Sequence, residues 1–285
     1  MRYHAFPRLA AAAACIFLID SGPLAASVVE VYPVPPGEIL SERFSVTVNG
    51  ETVPVIESGH PLARTYAHFS FEGTVEIEVT GLEAHNYSLS PSQFGLTPTV
   101  DDGSRMVFTL DRPRYIVVDP GANNPVGDAL FLFADPIDPR MPDPNAPDVL
   151  DFTSHTGGGG LQGALNEVAA RAELNTLFLP PGLYENSGVL DIPFNVTLYL
   201  AGGAKIDRGL IRFRNVENAH VRGRGVLEFA RSNANDFSFG ISGVDSRNIS
   251  VHGVIARTAS NWNTVIRYSS EIDILYLKVI NTPIP

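Results

Sequence analysis

From Asn175 onward the chain is built of short apolar runs cut every few residues by Gly, Pro or Asn. Leu177-Phe178-Leu179 leads into Pro180-Pro181-Gly182-Leu183-Tyr184. Asn195-Val196-Thr197-Leu198-Tyr199-Leu200 leads into Gly202-Gly203-Ala204-Lys205-Ile206. No run is long enough for a helix, so the pattern predicts short strands joined by tight turns. The unit recurs. Asn195-Val-Thr-Leu198 aligns with Asn218-Ala-His-Val221, Asn248-Ile-Ser-Val251 and Glu271-Ile-Asp-Ile274, at steps of 23, 30 and 23 residues. A strand-plus-turn unit repeated this way predicts a solenoid whose stacked coils share an apolar core, here a parallel β-helix. An ordinary sandwich could space strands similarly, but it would not place Asn or Glu at the same phase of each unit. Buried asparagine ladders at the coil corners would account for that phase.

Residues 28–118 show a different period. Phe44, Val46 and Val48 alternate, Asn49-Gly50 follows, then Val53 and Val55. Asn-Gly between alternating runs predicts a hairpin. Asp101-Asp102-Gly103 between Thr97–Val100 and Met106–Leu110 predicts another. Phe69 and Phe71, then Val75, Ile77 and Val79, complete an all-β stretch that reads as a small sandwich. His60, His68 and His85 are scattered, without metal-ligand spacing, and read as incidental. Residues 119–150 hold one buried strand, Leu130 to Phe133, and then Pro136, Pro139, Pro142, Pro144 and Pro147, the composition of a stiff linker. Leu161, Ala164, Leu165, Val168, Ala169 and Ala172 fall at helical spacing after the glycines 157–160. A helix there would cap the open end of the solenoid. No Gly-Lys-Ser/Thr follows the glycines, so they do not read as a phosphate loop.

Composition adds the compartment. Residues 1–26 carry Arg2 and Arg8, an apolar run from Leu9 to Ile19, and small residues Ala25-Ala26-Ser27. That is the layout of a secretory signal peptide, and the run is too short to span a membrane. A secreted or periplasmic protein is expected. The one cysteine, Cys15, lies inside that leader, so the mature chain has no disulfide, thiolate metal site or cysteine nucleophile. Residues 28–150 hold 18 Asp and Glu against 6 Arg, whereas residues 151–285 balance 12 acids with 12 bases. This charge argues against a nucleic-acid partner. Nine arginines between Arg208 and Arg267 could meet an anionic polysaccharide.

Several motifs carry a family likeness. Residues 151–285 resemble the start of the pectin-lyase-like right-handed β-helix and, within it, glycoside hydrolase family 28, the polygalacturonases. The likeness rests on the Leu161–Ala169 helix, the Pro-Gly-x-Tyr coil at Leu177–Tyr184, the Gly-Gly-Ala end of Asn195–Ile206, Val221-Arg-Gly-Arg-Gly-Val226, the Trp coil at Asn261–Asn263 and Val279–Asn281. The front resembles the sandwich that precedes this β-helix in some bacterial members. Dextranase-type and other β-helix hydrolases share the sandwich and the early coils. The resemblance implies 28–118 as a β-sandwich, 119–150 as strand plus linker, and 151–285 as N-terminal coils. It also implies hydrolysis of pectic polygalacturonate by inverting acid/base chemistry, with no cofactor, no membrane partner and a monomer at full length.

The family's Asn-Thr-Asp segment, Asp-Asp pair, Gly-His-Gly turn and Arg-Ile-Lys strand do not occur, so no catalytic residue carries over. Asn281-Thr282 is followed by Pro283, and the catalytic acids are expected beyond residue 285 of a longer protein. Hydrolysis needs two carboxyls, roughly 6.5–9.5 Å apart for inversion. Within 190–285 only Glu271 and Asp273 have i, i+2 spacing, roughly 6.5–7 Å along a strand. They are the candidate pair inside this chain, although Glu271 takes the asparagine corner and Asp273 points outward beside Ser250 and His220. Trp262, the one tryptophan, is the candidate for stacking on a sugar ring. Two other classes remain: a polysaccharide lyase, which would need Ca²⁺ and a basic residue, and a non-catalytic carbohydrate-binding or adhesive β-helix.

Overall fold

The computed structural model describes residues 27–58, 64–82, 87–121, 129–186, 188–229, 239–259 and 262–280. Residues 1–26 with Cys15, and His60, His85, Asn261 and Asn281-Thr282, lie outside them. In the front region, Asn49 and Gly50 both take positive φ (50° and 81°), the geometry of a type I′ turn. The turn pairs Ser45–Val48 with Glu51–Val53 in an antiparallel ladder. Val100–Asp101 likewise pairs with Arg105–Leu110. These strands and Val75–Thr80 make a five-stranded sheet. A second, seven-stranded sheet is built around Arg64–Glu72. The two enclose one core that includes Val46, Ile77, Phe108, Phe69, Phe71 and Leu132.

The expected strand at Leu130 to Phe133 runs on to Pro136. It lies inside the seven-stranded sheet, parallel to Arg64–Glu72 and antiparallel to Arg114–Asp119. Its unbroken apolar run fits a central strand covered on both faces. Arg64–Glu72 is also buried on both faces, because its Tyr66 side packs on the solenoid with Phe133, Val226 and Ile255. His68 on that side is buried, and its Nε2 lies 2.8 Å from Asp135 Oδ2. The expectation that His68 is incidental is therefore corrected.

The solenoid has three parallel sheets. The first runs Val149–Asp151, Thr176–Leu179, Thr197–Leu200, Glu217–Gly223, Arg247–His252 and Ser270–Leu275. The second runs Gly182–Glu185, Ala204–Asp207, Val226–Glu228, Ile255–Arg257 and Lys278–Ile280. The third runs Val189–Asp191, Leu210–Arg214, Ile241–Val244 and Thr264–Arg267. Inward residues such as Leu198, Val221, Val251, Ile206, Leu227, Ile211 and Phe213 form the shared core.

Asn195, Asn218, Asn248 and Glu271 all turn the corner at positive φ (59°, 55°, 48° and 55°). Asparagine tolerates this left-handed conformation better than most residues. Asn218 Nδ2 donates to Asn195 Oδ1 at 2.8 Å, and Asn248 Nδ2 to Asn218 Oδ1 at 2.6 Å. The ladder is real, but it is exposed rather than buried. Glu271 cannot donate an amide hydrogen and instead accepts from Arg247 Nη2 at 2.7 Å.

The coils begin at Val149–Asp151, one rung before the expected start at Asn175. Helix Gly160–Ala170 follows that rung and buries Leu161, Ala164, Leu165 and Val168 over the end of the core. Ala169 and Ala172 face solvent. Two glycines record close approaches. A Cβ on Gly223 would sit 1.9 Å from Leu200 O in the coil below. A Cβ on Gly202 would sit 2.1 Å from the Tyr32 ring, where the front region docks. At the last rung Ile272, Ile274, Tyr276 and Val279 are exposed. Among the described residues no helix is long and apolar enough to cross a membrane.

Candidate functional site

Coil-to-coil register assembles a column that no local motif announces. On the second sheet Glu185 pairs with Asp207, Asp207 with Glu228, and Glu228 with Arg257. Neighbouring rungs lie about 4.8 Å apart, so three carboxylates project in file beside the corner that leads to the third sheet. Glu185, Asn186, Asp207 and Arg208 line an open cleft of about 470 Å³ there. Arg208 Nε stands 3.4 Å from Asp207 Oδ2.

The upper end of the column is locked from the front region. Glu38 accepts from Arg257 Nη2 at 2.6 Å and lies 2.7 Å from Lys205 Nζ. Arg257 also pairs with Glu228, and Thr258 Oγ1 donates to the same carboxylate. Burial pushes the Glu38 carboxyl up, yet hydrogen bonds from Arg257 and Lys205 outweigh it and leave its pKa below the usual range. Arg257 loses hydration by burial, but Tyr66, Glu38 and Glu228 hold it firmly charged. The Glu228 carboxylate is thus engaged by Arg257 and Thr258, Asp207 lies beside Arg208, and Glu185 is the exposed acceptor of the column.

Trp262 sits on the connection after Ile255–Arg257, at this same corner. It is 63% exposed, and its ring centroid lies 6.4 Å from that of Phe239. Its backbone O accepts from Gly240 N at 3.3 Å, which ties Trp262 to the preceding coil. The arrangement offers an aromatic plate on the same corner as a row of acceptors, one coil beyond Glu228. A pyranose presents an apolar C–H face to the first and hydroxyl donors to the second.

Glu271 and Asp273 have different partners. Glu271 is engaged with Arg247, whereas Asp273 Oδ2 lies 2.9 Å from His252 Nε2. Asp273 does occupy the expected row, in register with Ser250 and through it His220. The next outward row runs Phe178, Tyr199, Arg222 and His252. Over this face lies the proline-rich segment: Asp138 accepts from Tyr199 Oη at 3.0 Å, and Arg140 Nη2 lies 2.8 Å from His252 Nδ1.

Sequence reasoning did not find the Glu185–Asp207–Glu228 column. Its steps are 22 and 21 residues, out of phase with the asparagine repeat. The acids become a set only when corner lengths fix the register. One available signal was an acid three or four residues after the glycine of each Gly-x-Tyr, Gly-Ala or Gly-Val turn.

No family model matches the sequence, and no curated protein matches it. Among solved structures the chain is similar to Dex49A from Penicillium minioluteum, with 14% identity and a TM-score of 0.63 over 88% of this chain and 60% of that one. A Parabacteroides merdae protein to which a glycosyl hydrolase activity has been ascribed aligns with 15% identity and a TM-score of 0.40, over 47% of this chain and 74% of that one. The second overlap is too loose to define a common architecture. The chain spans about 60% of the length of Dex49A. Neither similarity singles out the polygalacturonases. What the first establishes is a shared fold: a front β region followed by a parallel β-helix.

Proposed function

We propose that this is a secreted, polysaccharide-degrading glycoside hydrolase whose glycan lies along the corner between the second and third sheets. The observation that carries the proposal is exposed Trp262 on the same corner as the carboxylate column, one coil beyond Glu228, on a fold shared with Dex49A. The column presents acceptors for sugar hydroxyls, and Trp262 supplies the stacking plate. Glu228 is taken up by its ion pair with Arg257 and serves structure. The acid and base of an inverting reaction belong, on this reading, to later coils of the full-length protein at the same corner.

Charge separates two substrates. Pectic polygalacturonate, which the family resemblance implied, would set a carboxylate on every sugar against Glu185 and Asp207. A neutral glycan avoids that repulsion, so the column favours a neutral substrate. The test is affinity electrophoresis through gels containing a neutral glucan or polygalacturonate, with reducing-end release by the full-length gene product. Retardation by the neutral glucan, lost in Trp262→Ala, is expected. Stronger retardation by polygalacturonate would restore the pectic reading. An ultraviolet-absorbing unsaturated product would identify a lyase, and binding without turnover a binding or adhesive module.

A further inference from the structure

The outer face of the first sheet carries a second polar cluster, separate from the corner groove. Arg222 is half-buried there, and its Nε and Nη2 reach only a hydroxyl, Ser250 Oγ, at 3.3 Å each. Arg140 comes down from the proline-rich segment and contacts His252 Nδ1 at 2.8 Å. A guanidinium can only donate, so Nδ1 accepts and the ring proton of neutral His252 sits on Nε2. That Nε2 lies 2.9 Å from Asp273 Oδ2 but off-line for a hydrogen bond. His220 Nδ1 lies 2.8 Å from Ser250 Oγ.

The cations here lack carboxylate partners. Asp138 is turned to Tyr199 and to Arg224 at 4.0 Å, and Asp273 to His252. Among the described residues no carboxylate comes within 4.0 Å of the guanidinium of either Arg140 or Arg222, although the Arg140 backbone N–H donates to Asp138 Oδ1 at 3.0 Å. Burial lowers the Arg222 pKa, and the like charge of Arg140 lowers it further. Burial and then the charges of Arg222, His252 and Arg140 bring His220 down to about 4, so it is neutral at ordinary pH. Two guanidiniums set beside one cluster of imidazole and hydroxyl groups would be relieved by an anion between them. A planar oxyanion matches their forked donors. The flanking carboxylates, Asp138 and the half-exposed Asp273, make the patch nearly neutral overall and can accept from hydroxyls. A ligand that joins an acid group to hydroxyls fits better than a bare ion.

We propose that Arg140 and Arg222 form a binding site for the carboxylate or sulfate group of an acidic sugar, on the outer face of the first sheet. The site does not depend on the reading of the corner groove, because the two lie on different sheets. The test is calorimetric titration of the full chain at constant ionic strength with galacturonate, a sulfated monosaccharide, inorganic sulfate and glucose. Histidine ring resonances are followed in parallel. The acidic sugars are expected to bind and to shift the His220 and His252 signals, and glucose to do neither. Arg140→Gln, at an exposed position on the segment, and Arg222→Gln should each weaken binding by about tenfold or more. Trp262→Ala should leave it unchanged. Equal binding of inorganic sulfate would keep the oxyanion pair and overturn its preference for a sugar. No binding, or binding that survives both arginine substitutions, would overturn the proposal.

Discussion

Outward positions on two sheets of the same solenoid have opposite fates. On the second sheet, Lys205, Val226, Ile255 and Lys278 stand in register and are covered by the front region. On the first sheet, Tyr199, Arg222 and His252 stand in register beneath a short segment only. The covered face combines an apolar patch with ion pairs sealed from water. Lys278 is fully buried, hydrogen-bonds to Asp135, and donates to Gly253 O at 2.5 Å. Asp135 also receives Tyr115 Oη at 2.5 Å and lies 3.5 Å from Arg224 Nε. The open face carries groups of the same types with fewer partners. An outward position on a parallel coil is thus neutral scaffolding, and the covering layer decides whether its charge becomes structural or stays available.

The largest effect should come from the covered hub. Burial opposes the Asp135 charge, but Lys278, His68 and Arg224 hold its carboxyl well below the usual range. Asp135→Asn leaves a buried ammonium and guanidinium without their counter-charge. A loss of about 3–5 kcal/mol is expected in urea unfolding. Asp273→Asn removes a carboxylate that also faces a histidine, but one 54% exposed, and should cost less than about 1 kcal/mol. Equal losses from the two substitutions would break the contrast between the faces.

Acid should expose the same difference. Burial and the nearby Lys278 charge bring His68 down to about 4, against an ordinary histidine near 6.5. A depressed histidine pKa means that the unfolded chain takes up the proton first. Stability is therefore full above roughly pH 6.5 and falls as pH drops toward 4, by about 3 kcal/mol in all for this group. Urea midpoints at successive pH values should show this slope, and His68→Gln should flatten it. His220→Gln should flatten it less, because that ring is only partly screened from water.

The parts legible in sequence are those with a local cause. The corner asparagines could be aligned because each must adopt the same left-handed turn, and the helix over 160–170 because its apolar stripe has one period. The strand at Leu130–Pro136 showed its apolar run but not its place, since parallel pairing with Arg64–Glu72 spans some sixty residues with no turn to announce it. His68 and Asp135 are 67 residues apart and meet only after that pairing. For the candidate site, Trp262 was visible as the one tryptophan, whereas Glu185, Asp207 and Glu228 required the register. The exposure of the asparagine ladder escaped the sequence because a ladder has the same phase whether or not anything covers it.

That ladder gives a smaller, sharper test. Asn218→Ala removes the hydrogen bonds to Asn195 and Asn248 and forces alanine to hold φ near 55°. A cost of about 1–2 kcal/mol is expected from the left-handed backbone and the lost exposed hydrogen bonds together. Asn218→Gly keeps the backbone freedom and should lose less than about 1 kcal/mol. If the glycine and alanine variants unfold at the same urea concentration, the side-chain ladder rather than the turn is the source of the stability.

The smallest stability effect belongs to Trp262. Most of its surface is already in water, and the neighbouring ring of Phe239 is only partly buried. Trp262→Ala should shift unfolding by no more than about 0.5 kcal/mol. Glycan binding at the corner should nevertheless weaken by up to about tenfold, the value of one aromatic stacking contact. The two readouts separate the roles of the residue. A large loss of stability would make Trp262 a packing residue whose exposure is incidental. Unchanged stability with unchanged binding would leave the acidic column without its stacking plate and move the glycan off this corner. Unchanged stability with weakened binding is the result that a residue held at the surface for a ligand should give.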